Sequence, residues 1–129
     1  MFSNPTKEYV NTRASTSVHG ATPHKLVELL YGALKENLSI AKGAIGRGDV
    51  SAKAHAIKKS LDILVRLQAV LDFESGGDIA LRLDELYTFC TNRLALANVV
   101  NDVSMIDEVF RVIAELAAGW SELANLEEK

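Results

Sequence analysis

The sequence holds only two prolines, Pro5 and Pro23, and both fall in its first fifth. A proline inside a helix removes a backbone donor and clashes with the preceding turn, so its absence downstream leaves a long stretch free to be helical. From Pro23 onward the apolar residues recur at steps of three and four, the spacing that gathers side chains on one helical face. Together these features predict an all-α fold.

Breaks in the pattern divide the stretch into four segments. The first begins with Thr22 as N-cap and Pro23 at the first helical position. It carries Leu26, Leu30, Ala33, Leu34, Asn37, Ala41 and Ile45 on one stripe. Gly46 and Gly48 suit the left-handed backbone of a helix end, and Asp49 or Ser51 can cap the next helix. The second segment, about 51–73, carries Ile57, Leu61, Leu64, Gln68 and Leu71. The third starts near Asp78, with Ile79, Leu83, Leu86, Cys90, Leu94 and Ala97. Ser104 and Asp107 have capping-box spacing at the start of the fourth, whose stripe is Ile106, Val109, Ile113, Leu116, Trp120 and Leu123.

Helices of about 20–24 residues are roughly 30–36 Å long, and the joints between these are only a few residues. Short joints force neighbours to run antiparallel, which predicts an up-down-up-down four-helix bundle over residues 22–124. Residues 125–129 read as a frayed polar tail. Residues 1–21 differ: NPTKEYVN can form one short helix with Pro5 at its first position, followed by a polar connector. This segment is expected to be a mobile cap lying against the bundle.

The chain of 129 residues suffices for one core without staples. Its formal charge is -3, and the densest basic cluster is Lys53, Lys58, Lys59 and Arg66, which argues against nucleic acid as the partner. A single cysteine, Cys90, excludes an internal disulfide and fits a reducing compartment. No apolar run is long enough to enter a membrane, so the protein is expected to be cytoplasmic.

The stretch LDFESGGD (71–78) looks at first like a calcium loop, with Asp72, Glu74 and Asp78 around two glycines. A calcium loop starting at Asp72 would need an oxygen ligand at its fifth position and a glutamate at its twelfth. Those positions hold Gly76 and Leu83. The stretch is therefore expected to be a turn, with a helix ending at Glu74 or Ser75 and Asp78 capping the next one. His19, His24 and His55 form no i, i+4 pair, and His24 with Glu28 is one turn of solvent-facing surface, too few ligands for zinc. Cys90 sits on a core stripe with no activating neighbour. The expectation is no enzyme, no cofactor and no metal.

The second helix is unusual in its apolar width. Ile63, Leu67 and Val70 flank its core stripe, giving an arc of about 220° where one core needs little more than about 100°. The third helix adds Phe89, Leu96 and Val100. Contact with both bundle neighbours would widen any arc. The functional alternative is an apolar groove along helices two and three, made of Ile63, Leu67, Val70, Phe89, Leu96 and Val100, that takes an amphipathic helix. Phe2, Tyr9 and Val10 of the N-terminal segment would cover it when empty.

These residues also carry a resemblance. TPHKLVELLY (22–31) resembles the start of the first helix in the flagellin-specific export chaperones, the FliS family. LDFESGGDIA (71–80) is similar to that family's Gly-Gly turn, and Leu83, Leu86, Tyr87, Arg93, Leu94, Ala97 and Asn98 match its third helix. Trp120 stands where the family has a tryptophan, and the likeness spans about residues 9–122. His19 to Pro23 depart from the family's usual start. The resemblance implies a four-helix bundle that binds the disordered C-terminal segment of flagellin, blocks its premature polymerisation and helps deliver it to the flagellar export gate. It also implies that Tyr9 belongs to an N-terminal cap displaced by the partner. The rival reading is a structural module that homodimerises through helices two and three.

Overall fold

The computed structural model describes residues 23–128, with side chains as far as residue 123. The expected cap, with Tyr9 and Val10, and the expected N-cap Thr22 lie outside the described residues.

Among the described residues four helices follow one another: α1 (Pro23–Arg47), α2 (Val50–Ala69), α3 (Phe73–Val100) and α4 (Val103–Glu128). Each packs on the next and α4 returns to α1, closing the ring. This is the expected antiparallel four-helix bundle. The last helix continues to Glu128, through most of the stretch expected to fray.

The core is built from Leu34 and Leu38 of α1, Ile57 and Leu64 of α2, Tyr87 and Leu94 of α3, and Ile106, Val109 and Ile113 of α4. Each such side chain contributes about 1.5–3 kcal/mol by leaving water. The buried face of α1 is turned slightly from the expected stripe, to Val27, Leu30, Tyr31, Leu34, Leu38, Ala41 and Ala44. Larger apolar groups at Tyr31 and Leu38 win that face. Asn37 keeps its amide on the flank, donating to the Ala33 carbonyl at 2.8 Å. On α2 the buried set is Lys53, Ala56, Ile57, Ser60, Leu64 and Leu67, while Leu61 and Gln68 lie at its edge. On α3 the expected core residues Ile79 and Leu86 are exposed, and Tyr87 is buried in their place. Leu123, at the end of the α4 stripe, is also exposed.

The joints correct several boundaries. Asp49 caps α2, accepting from Ala52 N at 3.1 Å, after Gly48 turns the chain at φ 72°. Helix α2 ends at Ala69, four residues before the expected limit, because the Val70 and Leu71 amides fold back onto Arg66 O and Gln68 O. Asp72, not Asp78, is the capping carboxylate of the next helix, accepting from Glu74 N and Ser75 N at 3.1 Å. That first turn is set off from the rest of α3 by Gly77, at φ 50° and ψ -125°. A side chain disfavours this conformation, so the second glycine is needed for the break. At the far end Asn101 takes a left-handed conformation, and Asp102 rather than Ser104 caps α4, accepting from the Ser104 amide at 2.9 Å.

Candidate functional site

Among the described residues the buried titratable groups are held in their neutral forms or paired. Tyr31 and Tyr87 share a buried hydrogen bond of 2.6 Å, and burial pushes both phenols above their ordinary range. Burial likewise pushes the Cys90 thiol up to about 12, so it stays a neutral packing group at physiological pH. The Asp72 carboxylate, exposed but hydrogen-bonded by Ser75 and Glu74, is held below the usual carboxylate range and is committed to capping. Among the described residues no three His, Cys, Asp or Glu side chains gather as a metal site would require. No described helix is long and apolar enough to cross a membrane.

His24 does not face solvent beside Glu28. Its ring stacks on Trp120 at 4.3 Å between centroids, and its Nε2 lies 3.1 Å from Trp120 O. Trp120 Nε1 donates to His24 O at 2.9 Å, and Glu28 pairs instead with Lys25. This clasp ties the first turn of α1 to α4. Nearby, Glu28, Tyr31, Gly32 and Lys35 of α1 line a cavity of about 350 Å³ with Ala114, Ala117, Ala118 and Ser121 of α4.

Polar side chains set the register of α2 on α3. Lys53, one of the cluster with Lys58, Lys59 and Arg66, is buried, and its Nζ donates to Asn98 O at 2.9 Å and Asn101 Oδ1 at 2.6 Å. At the other end Gln68 Nε2 donates to Asp84 Oδ1 at 2.9 Å and Thr88 Oγ1 at 3.3 Å. These bonds identify the flanks that face one another. On α2 that flank carries Leu61 and Val65, two turns and one turn before Gln68. On α3 it carries Leu81, Thr88, Ala95 and Val99, at steps of seven and four.

Leu61 packs partly on the core, and three apolar members of this seam are open to solvent: Val65 is 61% exposed, Leu81 54% and Val99 75%. Helix α3 as a whole carries the most surface apolar groups, adding Phe73, Ile79, Leu86, Leu96 and Val100. Exposed apolar groups concentrated on one side of a protein mark interaction surfaces. An exposed apolar flank of this kind is a surface on which an amphipathic helix can dock.

The six residues expected to line the groove are not gathered there. Leu67 is 1% exposed and belongs to the core. Its arc position beside Leu64 is an inward one, because the bundle interior lies along both. Ile63, partly buried on the core, and Val70, 45% exposed, fall on the opposite flank of α2 from Gln68, toward α1. Phe89, Leu96 and Val100 fall on the α4 flank of α3. Arg93 marks that side: its guanidinium lies 5.4 Å from the centre of the Phe89 ring. Its buried Nε stands 3.2 Å from Glu108 Oε1, near enough to pair but off the hydrogen-bond direction. The shared flank of Val65, Leu81 and Val99 does not follow from the sequence alone, because a helical wheel gives the width of an apolar arc but not which flank meets which neighbour. The available signal was Gln68, a polar residue on a core stripe whose amide needs partners on the adjoining helix.

The sequence model of the family described as flagellar protein FliS matches residues 5–127. A flagellar secretion chaperone FliS of Vibrio cholerae is 36% identical over 115 residues, covering 89% of this chain and 85% of that protein. A flagellar secretion chaperone FliS of Salmonella typhimurium is 36% identical over 119 residues, covering 92% of this chain and 88% of the relative. A flagellar secretion chaperone FliS of Bacillus subtilis is 26% identical over 113 residues, covering 88% and 84%.

Proposed function

This chain belongs to the FliS family of flagellar proteins, and on that premise we propose that it is a non-enzymatic, cytoplasmic secretion chaperone that binds the disordered C-terminal segment of flagellin along the seam between α2 and α3. Bound there, the segment is kept from premature polymerisation and held ready for the flagellar export gate.

The observation that carries the proposal is the joint exposure of Val65, Leu81 and Val99 on one seam. A disordered segment loses conformational entropy when it orders on a partner, so it needs an extended apolar surface to bind well. Helix α2 is 20 residues long, which gives a seam of about 30 Å. That accommodates five turns of an amphipathic helix.

Calorimetric titration with the C-terminal segment of flagellin tests this. Binding at one to one with a large negative heat-capacity change is expected, the signature of coupled folding onto apolar surface. Absence of binding by the folded protein, with a dimer in light scattering, would instead assign the seam to self-association.

A further inference from the structure

One carboxylate stands on the α2–α3 seam itself. Asp84 is half-buried between the two helices, and its Oδ1 accepts from Gln68 Nε2 at 2.9 Å. The same amide nitrogen reaches Thr88 Oγ1 at 3.3 Å. Three residues toward the joint on α3, Leu81 is 54% exposed, and three residues before Gln68 on α2, Val65 is 61% exposed. Three residues of helix rise about 4.5 Å, so this polar group lies between two of the exposed apolar side chains of the seam.

Holding α2 in register on α3 does not require a charge here. Gln68 Nε2 donates as readily to a neutral oxygen, as it does at Thr88, and it occupies one oxygen of Asp84 only. Among the described residues no cation pairs with this carboxylate, and its second oxygen accepts no hydrogen bond. The basic side chains of the two helices are turned away or already paired. Arg82 shares the α4 flank of α3 with Arg93, Arg66 lies on the α1 side of α2, and Lys58 is 3.2 Å from Asp62.

Water serves the second oxygen while the seam is open. A helix lying across Leu81 and Val65 covers it, and a carboxylate covered without a counter-charge loses its hydration with nothing in return. An apolar side chain at that point is therefore penalised. A neutral amide or hydroxyl pairs with a carboxylate less strongly than a cation does. The complement that closes the seam is an ammonium or a guanidinium.

We propose that Asp84 is a specificity-determining residue of the seam: it receives a lysine or arginine on the inner face of the docked flagellin helix, between the side chains that meet Leu81 and Val65. This rests on the function proposed above and adds a chemical requirement to it. A helix that is apolar along its whole inner face is discriminated against, because it leaves Asp84 covered and unpaired.

Calorimetric titration of the full chain with the C-terminal segment of flagellin tests this as a double-mutant cycle. Asp84→Asn keeps an acceptor for Gln68 Nε2 and removes the charge, so the protein alone should hold its thermal midpoint. Its affinity for the segment is expected to fall about fivefold to thirtyfold. In the segment, each lysine and arginine is changed in turn to methionine. One of these changes is expected to weaken binding to the parent by a similar factor and to have little further effect on Asp84→Asn, the coupling that a direct pair gives. Parental affinity in Asp84→Asn would make Asp84 a residue of helix register alone and overturn the proposal. Losses that multiply independently for every cation of the segment would overturn it as well, and both results leave the binding site in place. Absence of binding by the parent protein would remove the proposed function, and this inference with it.

Discussion

The hydroxyls of Tyr31 and Tyr87 stand 2.6 Å apart inside the bundle and join α1 to α3 across its diagonal, where the two helices are not ring neighbours. Neither phenol is more than 3% exposed. Removing one leaves the other hydroxyl buried without its partner, which costs about 1–3 kcal/mol, whereas removing both deletes the need along with the bond. Tyr31→Phe and Tyr87→Phe are each expected to lower the urea midpoint, and the double variant to recover much of the loss. Strictly additive losses in that double-mutant cycle would show that the hydroxyls are not coupled.

Alkaline pH should destabilise the fold through Cys90 first. Burial raises its folded value from 9.0 to about 12, so below about pH 9 both folded and unfolded thiols are neutral and the contribution is intact. As pH rises past 9 the unfolded thiol ionises while the folded one does not. Stability then falls by up to about 1.4 kcal/mol per pH unit from this one group. Tyr31 and Tyr87, also raised by burial, add to the slope above pH 10. Urea midpoints between pH 7 and 11 should trace this decline, and Cys90→Ala should flatten its first part. A slope unchanged by that substitution would remove Cys90 as the cause.

Lys53 closes the carboxyl end of α3 from a neighbouring helix, with its ammonium on the Asn98 carbonyl and the Asn101 side chain. A cation there also complements the negative helix terminus. Lys53→Met keeps the aliphatic stem but strands both acceptors, at an expected cost of about 1–3 kcal/mol. Asn101→Gly removes one acceptor while easing the left-handed backbone at φ 57°, so its loss should be smaller. Equal thermal midpoints for Lys53→Met and the parent would show that the contact contributes nothing.

Two glycines should respond oppositely to alanine. Gly77, at φ 50° and ψ -125°, has open space around it but a backbone conformation that a Cβ disfavours, so Gly77→Ala should cost about 1–3 kcal/mol. Gly119 lies within α4 with open space where an alanine Cβ would stand, and Gly119→Ala should gain about 0.5–1 kcal/mol in helix propensity. Scanning calorimetry of both variants checks the contrast. A harmless Gly77→Ala would mean that the first turn of α3 can rearrange freely.

The helices and their order were legible because a period of three and four survives without neighbours: Ile106, Val109 and Ile113 are core from either viewpoint. The carboxylates that cap α3 and α4 were not, since Asp72 competes with Asp78 and Asp102 with Ser104 on chemistry alone. Which one caps depends on where the preceding helix stops. The seam was half legible. Its two helices follow from the wide apolar arcs, but assigning Val65 rather than Ile63 to it requires knowing that Gln68 meets Asp84. Tyr87 displaces Leu86 from the core through a bond to Tyr31, a partner 56 residues away that no local period contains.

Surface and core substitutions of equal chemistry separate binding from folding on α2 and α3. Val65 is 61% exposed and Val99 75%, so an aspartate at either stays in water and should leave thermal stability nearly unchanged. In the seam the same charge would have to be desolvated beneath a docked apolar helix, so each substitution should weaken flagellin binding by about tenfold or more, and the pair should abolish it. Leu67 is only two residues from Val65 but 1% exposed. Leu67→Asp places a carboxylate in the core without a partner, and the expected result is loss of the cooperative thermal transition in circular dichroism rather than a folded, non-binding protein. Ile63→Asp, on the far flank of α2, should leave affinity within about threefold of the parent if it folds, since that flank faces α1 and not the seam. Full affinity in the Val65→Asp, Val99→Asp protein would move the docking surface off this seam, and the α4 flank of α3, with Leu96 and Val100, would be the face to test next.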